Sequence, residues 1–270
     1  MLFTDNQFLN GLQDSAITEI ANHIKSKKNV SDLISKGLRQ AFDEVIDGPR
    51  TGRFKIEQLE KTEKTYIGTK VEIILRTILS LPRGMVLDNS ICGHEVDTKF
   101  SLTGAWMIPR EAIDHICMLI KANDNSGTFS VGLLRTTLNN LTDGSNQDGK
   151  RSVSSLGKSN ITWIIENGIL PRNFLLDLSP EIREKIMSPK SGVQRIRALF
   201  TNVTSQIIPR TVIEQVAQQK DALKRAREMK DILAENNYKI VCAAYAVDRQ
   251  HFIEQGFVNF RDDDWLSIKL

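Results

Sequence analysis

Cysteine and histidine are scarce in this chain, and long apolar runs are missing. The three cysteines are odd in number and form no C-x-x-C pair, which favours reduced thiols in a cytoplasmic protein over a disulfide framework. The four histidines form no pair at the helical spacing of metal ligands. No apolar run reaches the roughly 20 residues of a membrane span, and the first residues lack a signal-peptide pattern. We therefore expect a cytoplasmic protein with no membrane partner.

Several familiar catalytic motifs are also missing. The chain has no G-x-S-x-G elbow, no Walker A loop and no G-x-G-x-x-G after a strand. Val45-Ile46-Asp47-Gly48 contains the Asp-Gly of nucleotidyl-transferring ligases, but a valine stands where those enzymes need a nucleophilic lysine. Ligase chemistry is therefore excluded, and Asp47-Gly48 is interpreted as a turn. The net charge of +3 permits nucleic-acid binding without requiring it.

One short run carries charges at a spacing that suits metal-dependent phosphodiester cleavage. An acidic residue, Asp88, and a short hairpin precede Asp97-Thr98-Lys99. Residues i and i+2 of a strand share a face, so Asp97 and Lys99 are expected side by side. There a carboxylate can hold Mg²⁺ together with Asp88, while the ammonium orients water and offsets phosphate charge. Because D-x-K is common, a solvated hairpin with ordinary surface charges is the alternative interpretation.

Hydrophobic periodicity predicts helices first and strands after them in the first half. The helices are predicted over residues 1–47 and 56–81, and the strands over 85–89, 91–102, 116–122 and 129–135. Residues 142–159 are rich in Gly, Ser, Asn and Asp, which predicts a linker or a long surface loop. We therefore place a domain boundary at residue 160.

The second half is predicted to be mostly helical. Ser179-Pro180-Glu181 is a helix start, and further helices are predicted over residues 194–203, 211–217 and 221–233. The last two are joined tightly and the second is basic, which suggests a helix-turn-helix DNA reader with strands at 240–247 and 265–270 as a wing. The candidate DNA contacts are Lys220, Lys224, Arg225 and Arg227. The alternative is a solvated helix face with i,i+4 ion pairs.

Several runs, in order along the chain, resemble a single known family. They are Asp47–Phe54, Gln58–Thr65, Gly68–Ile73, Gly93–Ser101, Gly104–Pro109, His115–Cys117, Val212-Ile213 and Val216–Gln219. The family is that of the NaeI-type restriction endonucleases, and the resemblance covers about residues 30–260.

The resemblance implies an α/β architecture with two domains. A restriction-endonuclease-like core, with helices around a central mixed sheet, would occupy residues 1–160 and carry catalysis and dimerisation. A mostly helical, winged-helix-like DNA-binding domain would occupy residues 161–270. Members of the family act as homodimers, use Mg²⁺ to cut both strands of palindromic double-stranded DNA, and bind a second DNA copy as effector.

The resemblance also implies a set of site residues. The family's catalytic positions fall on Glu72, Asp88, Asp97 and Lys99, with Mg²⁺ held by the three carboxylates. Thr98 stands where the family has cysteine, and its side chain should point away from the metal face. Further candidate DNA contacts in the first half are Arg50, Arg53, Lys61, Lys64 and Trp106.

Two other functions remain open from the sequence. One is a DNA-binding regulator that uses the basic helix and keeps the first domain for dimerisation. The other is a strand-nicking repair endonuclease built on the same core. Dimerisation distinguishes the last from a restriction enzyme, because a symmetric dimer cuts both strands of a palindrome.

Overall fold

The computed structural model describes residues 14–270, which divide into two compact units. Unit 1 comprises the described residues up to Val45 together with Glu60–Arg172. Unit 2 comprises Ile46–Leu59 together with Asn173–Leu270. The part of the first predicted helix that falls on residues 1–13 lies outside the described residues.

Helices and strands alternate irregularly along the chain. The helices are α1 (Ser15–Lys25), α2 (Val30–Ile46), α3 (Gly48–Thr51), α4 (Lys61–Ile78), α5 (Ser155–Ser159), α6 (Phe174–Asp177), α7 (Pro180–Met187), α8 (Gly192–Asn202), α9 (Arg210–Ala217), α10 (Ala222–Ala234) and α11 (Ala246–Glu254). The strands are β1 (Asn89–Ile91), β2 (His94–Ser101), β3 (Met107–Ile108), β4 (Ile116–Asn123), β5 (Thr128–Arg135), β6 (Leu141–Ser145), β7 (Arg151–Val153), β8 (Thr162–Ile169), β9 (Ile207–Ile208), β10 (Tyr238–Cys242) and β11 (Trp265–Lys269).

The main sheet of unit 1 has five strands in the order β1-β2-β4-β5-β8. β2 and β4 run parallel, and the other neighbouring pairs are antiparallel. The central strands β4 and β5 are buried along most of their length, which explains their near-continuous apolar sequence. The predicted α/β class with a central mixed sheet is therefore confirmed.

The helices of unit 1 pack on this sheet through apolar faces. α1 begins at the cap Asp14, whose carboxylate accepts the N–H groups of Ala16 and Ile17 at 3.1 and 3.2 Å. The predicted continuous helix 56–81 is wrong at its start. A short 3-10 turn at Ile56–Gln58 ends before Glu60, and there the Glu63 carboxylate accepts the Glu60 N–H at 2.8 Å and begins α4.

The polar segment 142–159 is not a linker, so that prediction is wrong. It forms β6, β7 and α5, and β3-β7-β6 make a second, three-stranded sheet. Asn146 closes the turn, because its side chain accepts the N–H of Lys150 at 2.8 Å. The polar residues face solvent, while Leu141 and Val153 enter the core of unit 1.

The strand β8 lies in a region that the sequence predicted to be helical. It pairs antiparallel with β5 and completes the main sheet of unit 1. The expected boundary at residue 160 falls just before this strand, whereas the compact units divide after Arg172. The strand predicted over 85–89 is also mostly wrong, because residues 85–88 form a loop and β1 begins at Asn89.

Unit 2 is mainly helical, with one three-stranded sheet in the order β10-β11-β9. Ser179 caps α7 as predicted and accepts the Ile182 N–H at 3.3 Å. α9 ends at Ala217, the next residue, Gln218, has a left-handed conformation, and α10 begins at Ala222. The strand predicted over 240–247 is wrong at its end, since α11 starts at Ala246. None of the helices within residues 14–270 combines the length and the apolar character of a membrane span.

Candidate active site and DNA-contact surfaces

Asp97 and Lys99 lie in contact on one face of β2. The Lys99 Nζ is 2.7 Å from the Asp97 Oδ2, as strand alternation predicts. The Asp97 side chain is buried and that of Lys99 is half-buried. This pair therefore combines a carboxylate and an ammonium at the border between the core of unit 1 and solvent.

Asp88 reaches the same place from the loop that precedes β1. Its Oδ2 accepts the backbone N–H of Thr98 at 2.8 Å. The Asp88 carboxylate is also close enough to Asp97 to raise the pKa of Asp97. The structure therefore brings Asp88, Asp97 and Lys99 together.

Burial and neighbouring charges set the protonation of this cluster. Burial raises the pKa of Asp97 to about 6; Lys99 opposes this shift and Asp88 adds to it. Burial lowers the pKa of Lys99, but the contact with Asp97 outweighs it and leaves that pKa above its usual value. Both pKa values are therefore raised, that of Asp97 by burial and that of Lys99 by the neighbouring negative charge. At neutral pH the pair is an ammonium beside a carboxylate that takes up a proton easily.

Cys117 lies beneath the Asp97 carboxylate and was not predicted as part of the site. The parallel register of β2 and β4 pairs Asp97 with Cys117, whose Sγ is 3.9 Å from the Asp97 Oδ2. Burial raises the pKa of the Cys117 thiol to about 12, so it is protonated at neutral pH. The family resemblance includes Cys117 in the run His115–Cys117, but its place beside Asp97 could not be predicted because the pairing joins strands that are distant in the chain.

Glu72 is connected to β2 through a chain of side chains. It forms an ion pair with Arg76 at 2.5 Å, one turn further along α4. The Arg76 Nε donates to the Asn89 Oδ1 at 3.0 Å, and the Asn89 Nδ2 donates to the Thr98 Oγ1 at 2.9 Å. Thr98 lies between Asp97 and Lys99, so its side chain projects from the opposite face of β2, as predicted.

The three predicted metal-binding carboxylates do not form one compact set in this structure. Among residues 14–270, no three Asp, Glu, His or Cys side chains are arranged closely enough to hold a metal ion. Asp88 and Asp97 contact each other, whereas Glu72 is engaged by Arg76.

The candidate DNA contacts of unit 1 have different surroundings. Lys61 is exposed and Lys64 half-buried in the first turns of α4. Trp106 is only 3% exposed, and its indole N–H donates to the Ile120 carbonyl at 2.9 Å. The expectation that Trp106 contacts DNA is therefore corrected, because its ring is part of the core of unit 1.

Arg50 and Arg53 belong to unit 2, although they precede α4 in sequence. The Gln215 Nε2 donates to the Arg53 carbonyl at 2.6 Å and fixes this segment to α9. Gly52 has φ +71°, and a Cβ there would lie 2.3 Å from the Gln218 side chain. The Arg50 side chain is 85% exposed beside Asp47, whereas the Arg53 Nε donates to the Ile46 carbonyl.

The basic residues near α10 also differ in their partners. Lys220, Lys224 and Arg227 are exposed, and Lys220 lines a shallow pocket together with Arg50. Arg225 pairs with Asp221 at 2.8 Å and with Glu228 at 3.0 Å. The ion-paired helix face considered as an alternative therefore describes Arg225 but not the three exposed side chains.

Comparison with known proteins points to one family. The chain matches the family described as "Restriction endonuclease NaeI" over residues 18–270. It is also similar to "Type II restriction enzyme NaeI" of Lentzea aerocolonigenes, with 39% identity over 198 residues that cover 70% of this chain. The match spans 62% of that relative's length. The chain belongs to the NaeI family of restriction endonucleases.

Proposed function

We propose that this protein is a type II restriction endonuclease that cuts both strands of double-stranded DNA at a palindromic site by Mg²⁺-dependent phosphodiester hydrolysis. The observation that carries the proposal is the cluster of Asp88, Asp97 and Lys99 on β2 and the adjoining loop. Family membership supports it, since the relative is named as a type II restriction enzyme.

The residues of the cluster fit a divalent cation. Asp88 and Asp97 place two carboxyl groups side by side, and Asp88 raises the pKa of Asp97. A cation held by both would offset the repulsion between the two carboxylates, and hard oxygen donors suit Mg²⁺. Asp88 and Asp97 would hold it, with Glu72 as a further candidate from α4. When bound, Mg²⁺ supplies a Lewis acid that polarises the scissile phosphate.

Each side chain of the cluster then has a separate task. Lys99 keeps its ammonium 2.7 Å from Asp97, where it can orient the attacking water and stabilise the negative charge that develops on the phosphate. The Thr98 N–H holds one oxygen of Asp88, which fixes the direction of its carboxylate. Arg76 restrains Glu72 and links it to β2 through Asn89.

Unit 2 is proposed as a winged-helix-like DNA-binding domain, and unit 1 as the catalytic and dimerisation domain. α9, the short turn and α10 have the order of a helix-turn-helix reader, and the strands β10 and β11 follow. Four exposed cations of this unit, Arg50, Lys220, Lys224 and Arg227, are the proposed phosphate contacts. The protein would act as a homodimer that also binds a second DNA copy as effector.

The test is DNA cleavage by the purified protein. Supercoiled plasmid and phage DNA are incubated with Mg²⁺ or with EDTA, and the fragment ends are sequenced. Discrete Mg²⁺-dependent linear fragments that vanish in Asp97→Ala are expected. Asp143→Ala, which removes an exposed carboxylate of the β6–β7 hairpin, is the matched control and should cut normally.

The alternative functions give different products in the same experiment. Nicked circles without linear DNA would indicate a strand-nicking enzyme. A gel shift with intact DNA would indicate a DNA-binding regulator. Cleavage by Asp97→Ala at the normal rate would show that the cluster on β2 is not the active site.

A further inference from the structure

Glu95 holds a loop of backbone next to the cluster of Asp88, Asp97 and Lys99. Its Oε1 accepts the N–H of Met85 at 2.8 Å, and its Oε2 accepts those of Val86 and Leu87 at 3.1 and 2.8 Å. Three consecutive backbone donors thus converge on one carboxylate. Hydrogen bonds to an ionised acceptor are roughly twice as strong as neutral ones.

Side-chain packing gives this loop little support at its tip. The side chains of Met85 and Val86 are 97% and 70% exposed, and only Leu87 enters the core. At the base, the Ser90 N–H donates to the Pro82 carbonyl at 2.9 Å. The backbone hydrogen bond between Ser90 and Pro82 closes the base of the loop, and Leu87 is its buried anchor. Glu95 is therefore the acceptor that orders the tip between them.

Gly84 shows how closely the loop and the carboxylate approach each other. A Cβ at residue 84 would lie 2.5 Å from the Glu95 Oε2 and 2.4 Å from the Leu87 carbonyl oxygen. The loop can therefore fold over Glu95 only because residue 84 has no side chain.

Asp88 follows this loop directly. Its position depends on the preceding peptide groups, and the N–H of Leu87 is fixed by Glu95. From there Asp88 reaches the Thr98 N–H and the Asp97 carboxyl group. A loop released from Glu95 would let Asp88 turn away from both.

We propose that Glu95 is a positioning residue, whose carboxylate holds the Gly84–Asp88 loop in the conformation that presents Asp88 to Asp97. This rests on the proposed function, in which Asp88 and Asp97 hold the metal ion. Glu95 acts here through the backbone and touches neither the metal nor the DNA.

Three variants separate this role from others. Glu95→Ala removes all three hydrogen bonds. Glu95→Gln keeps one oxygen but turns an amide NH₂ toward the backbone donors. Glu95→Asp keeps the charge and shortens the side chain, so that it no longer spans the loop. Glu111→Gln, at an exposed glutamate of unit 1, is the matched control.

The first readout does not depend on cleavage. Hydrogen exchange of the Met85–Leu87 amides should accelerate in all three Glu95 variants and stay unchanged in Glu111→Gln. This measurement tests the loop even if the protein cuts no DNA, so failure of the inference and failure of the proposed function are distinguishable. Unchanged protection in Glu95→Ala would overturn the proposal.

The second readout is the single-turnover cleavage rate as a function of Mg²⁺ concentration. Loss of a supporting residue around a metal site typically costs about 10–100-fold in metal affinity or activity. We expect a loss of that size and a higher Mg²⁺ requirement in all three variants, with DNA binding in EDTA unchanged. Wild-type cleavage by Glu95→Asp would show that only the charge matters and would refute positioning. Complete loss of activity with normal amide protection would make Glu95 a metal ligand and also refute it.

Discussion

Replacing Asn89 with leucine should weaken unit 1 by breaking the link between α4 and β2. Asn89 is 1% exposed and makes two side-chain hydrogen bonds, one from Arg76 at 3.0 Å and one to Thr98 at 2.9 Å. Leucine has a similar shape but neither donates nor accepts. The change therefore leaves the Arg76 Nε and the Thr98 hydroxyl without their partner in a largely buried place.

The size of the effect follows from these two bonds. A buried polar group left unsatisfied costs about 1–3 kcal/mol, and more when it is charged. Two such groups, partly offset by the apolar surface of leucine, give a loss of about 3 kcal/mol in the free energy of unfolding. That is a large share of the roughly 5–15 kcal/mol that stabilises a typical domain.

Urea unfolding followed through the tryptophans of unit 1 measures this loss. Trp106 and Trp163 lie in unit 1 and Trp265 in unit 2, so a Trp265→Phe background restricts the signal to unit 1. A double-mutant cycle with Thr98→Val should give a coupling energy of about 1 kcal/mol. A loss below about 0.5 kcal/mol, or strictly additive variants, would refute the link.

Three further predictions concern charged side chains. Lys99→Met should leave DNA binding in EDTA intact and lower the cleavage rate about 10²–10³-fold; normal rates in a single-turnover assay would contradict its role. Arg135 lowers the pKa of Asp14 through a hydrogen bond, so this pair stabilises the fold above about pH 4 and the stabilisation is lost as the pH falls. Asp14→Asn should therefore cost about 0.5–1 kcal/mol at pH 7 in urea titrations, and the cost should shrink as the pH falls and Asp14 takes up a proton in the folded protein. Arg50→Glu should weaken DNA binding measured by fluorescence anisotropy and reduce its salt dependence, and an unchanged affinity would remove Arg50 from the contact surface.

Much of the fold followed from local patterns. The apolar runs of β4 and β5, the cap at Ser179 and the helices α9 and α10 appear within a residue or two of their predicted places. These features depend on neighbours in sequence, such as a cap or a helical period. The polar composition of residues 142–159 led to the wrong prediction of a linker, because an exposed hairpin and a linker contain the same kinds of residues.

The strand β8 is a regular element that the sequence pattern did not predict. Its burial is intermediate or exposed along its length, so it lacks a strong apolar alternation. Its place is decided by pairing with β5, more than 25 residues earlier in the chain. Hydrophobic periodicity cannot detect pairing of that kind. Because β8 belongs to the main sheet, unit 1 extends to Arg172 and not to the expected boundary at residue 160.

For the candidate active site, the sequence alone determined that Asp97 and Lys99 would share a face of a strand, because side chains alternate every two residues. The tertiary structure decided everything that depends on distant segments. It placed Asp88 against Asp97, Cys117 beneath them and Glu95 under the Asp88 loop. It also buried Trp106 and fixed the Arg50 segment to α9. The physical reason is that backbone geometry sets the direction of neighbouring side chains, whereas strand pairing and burial between remote segments set which groups meet and what pKa they acquire.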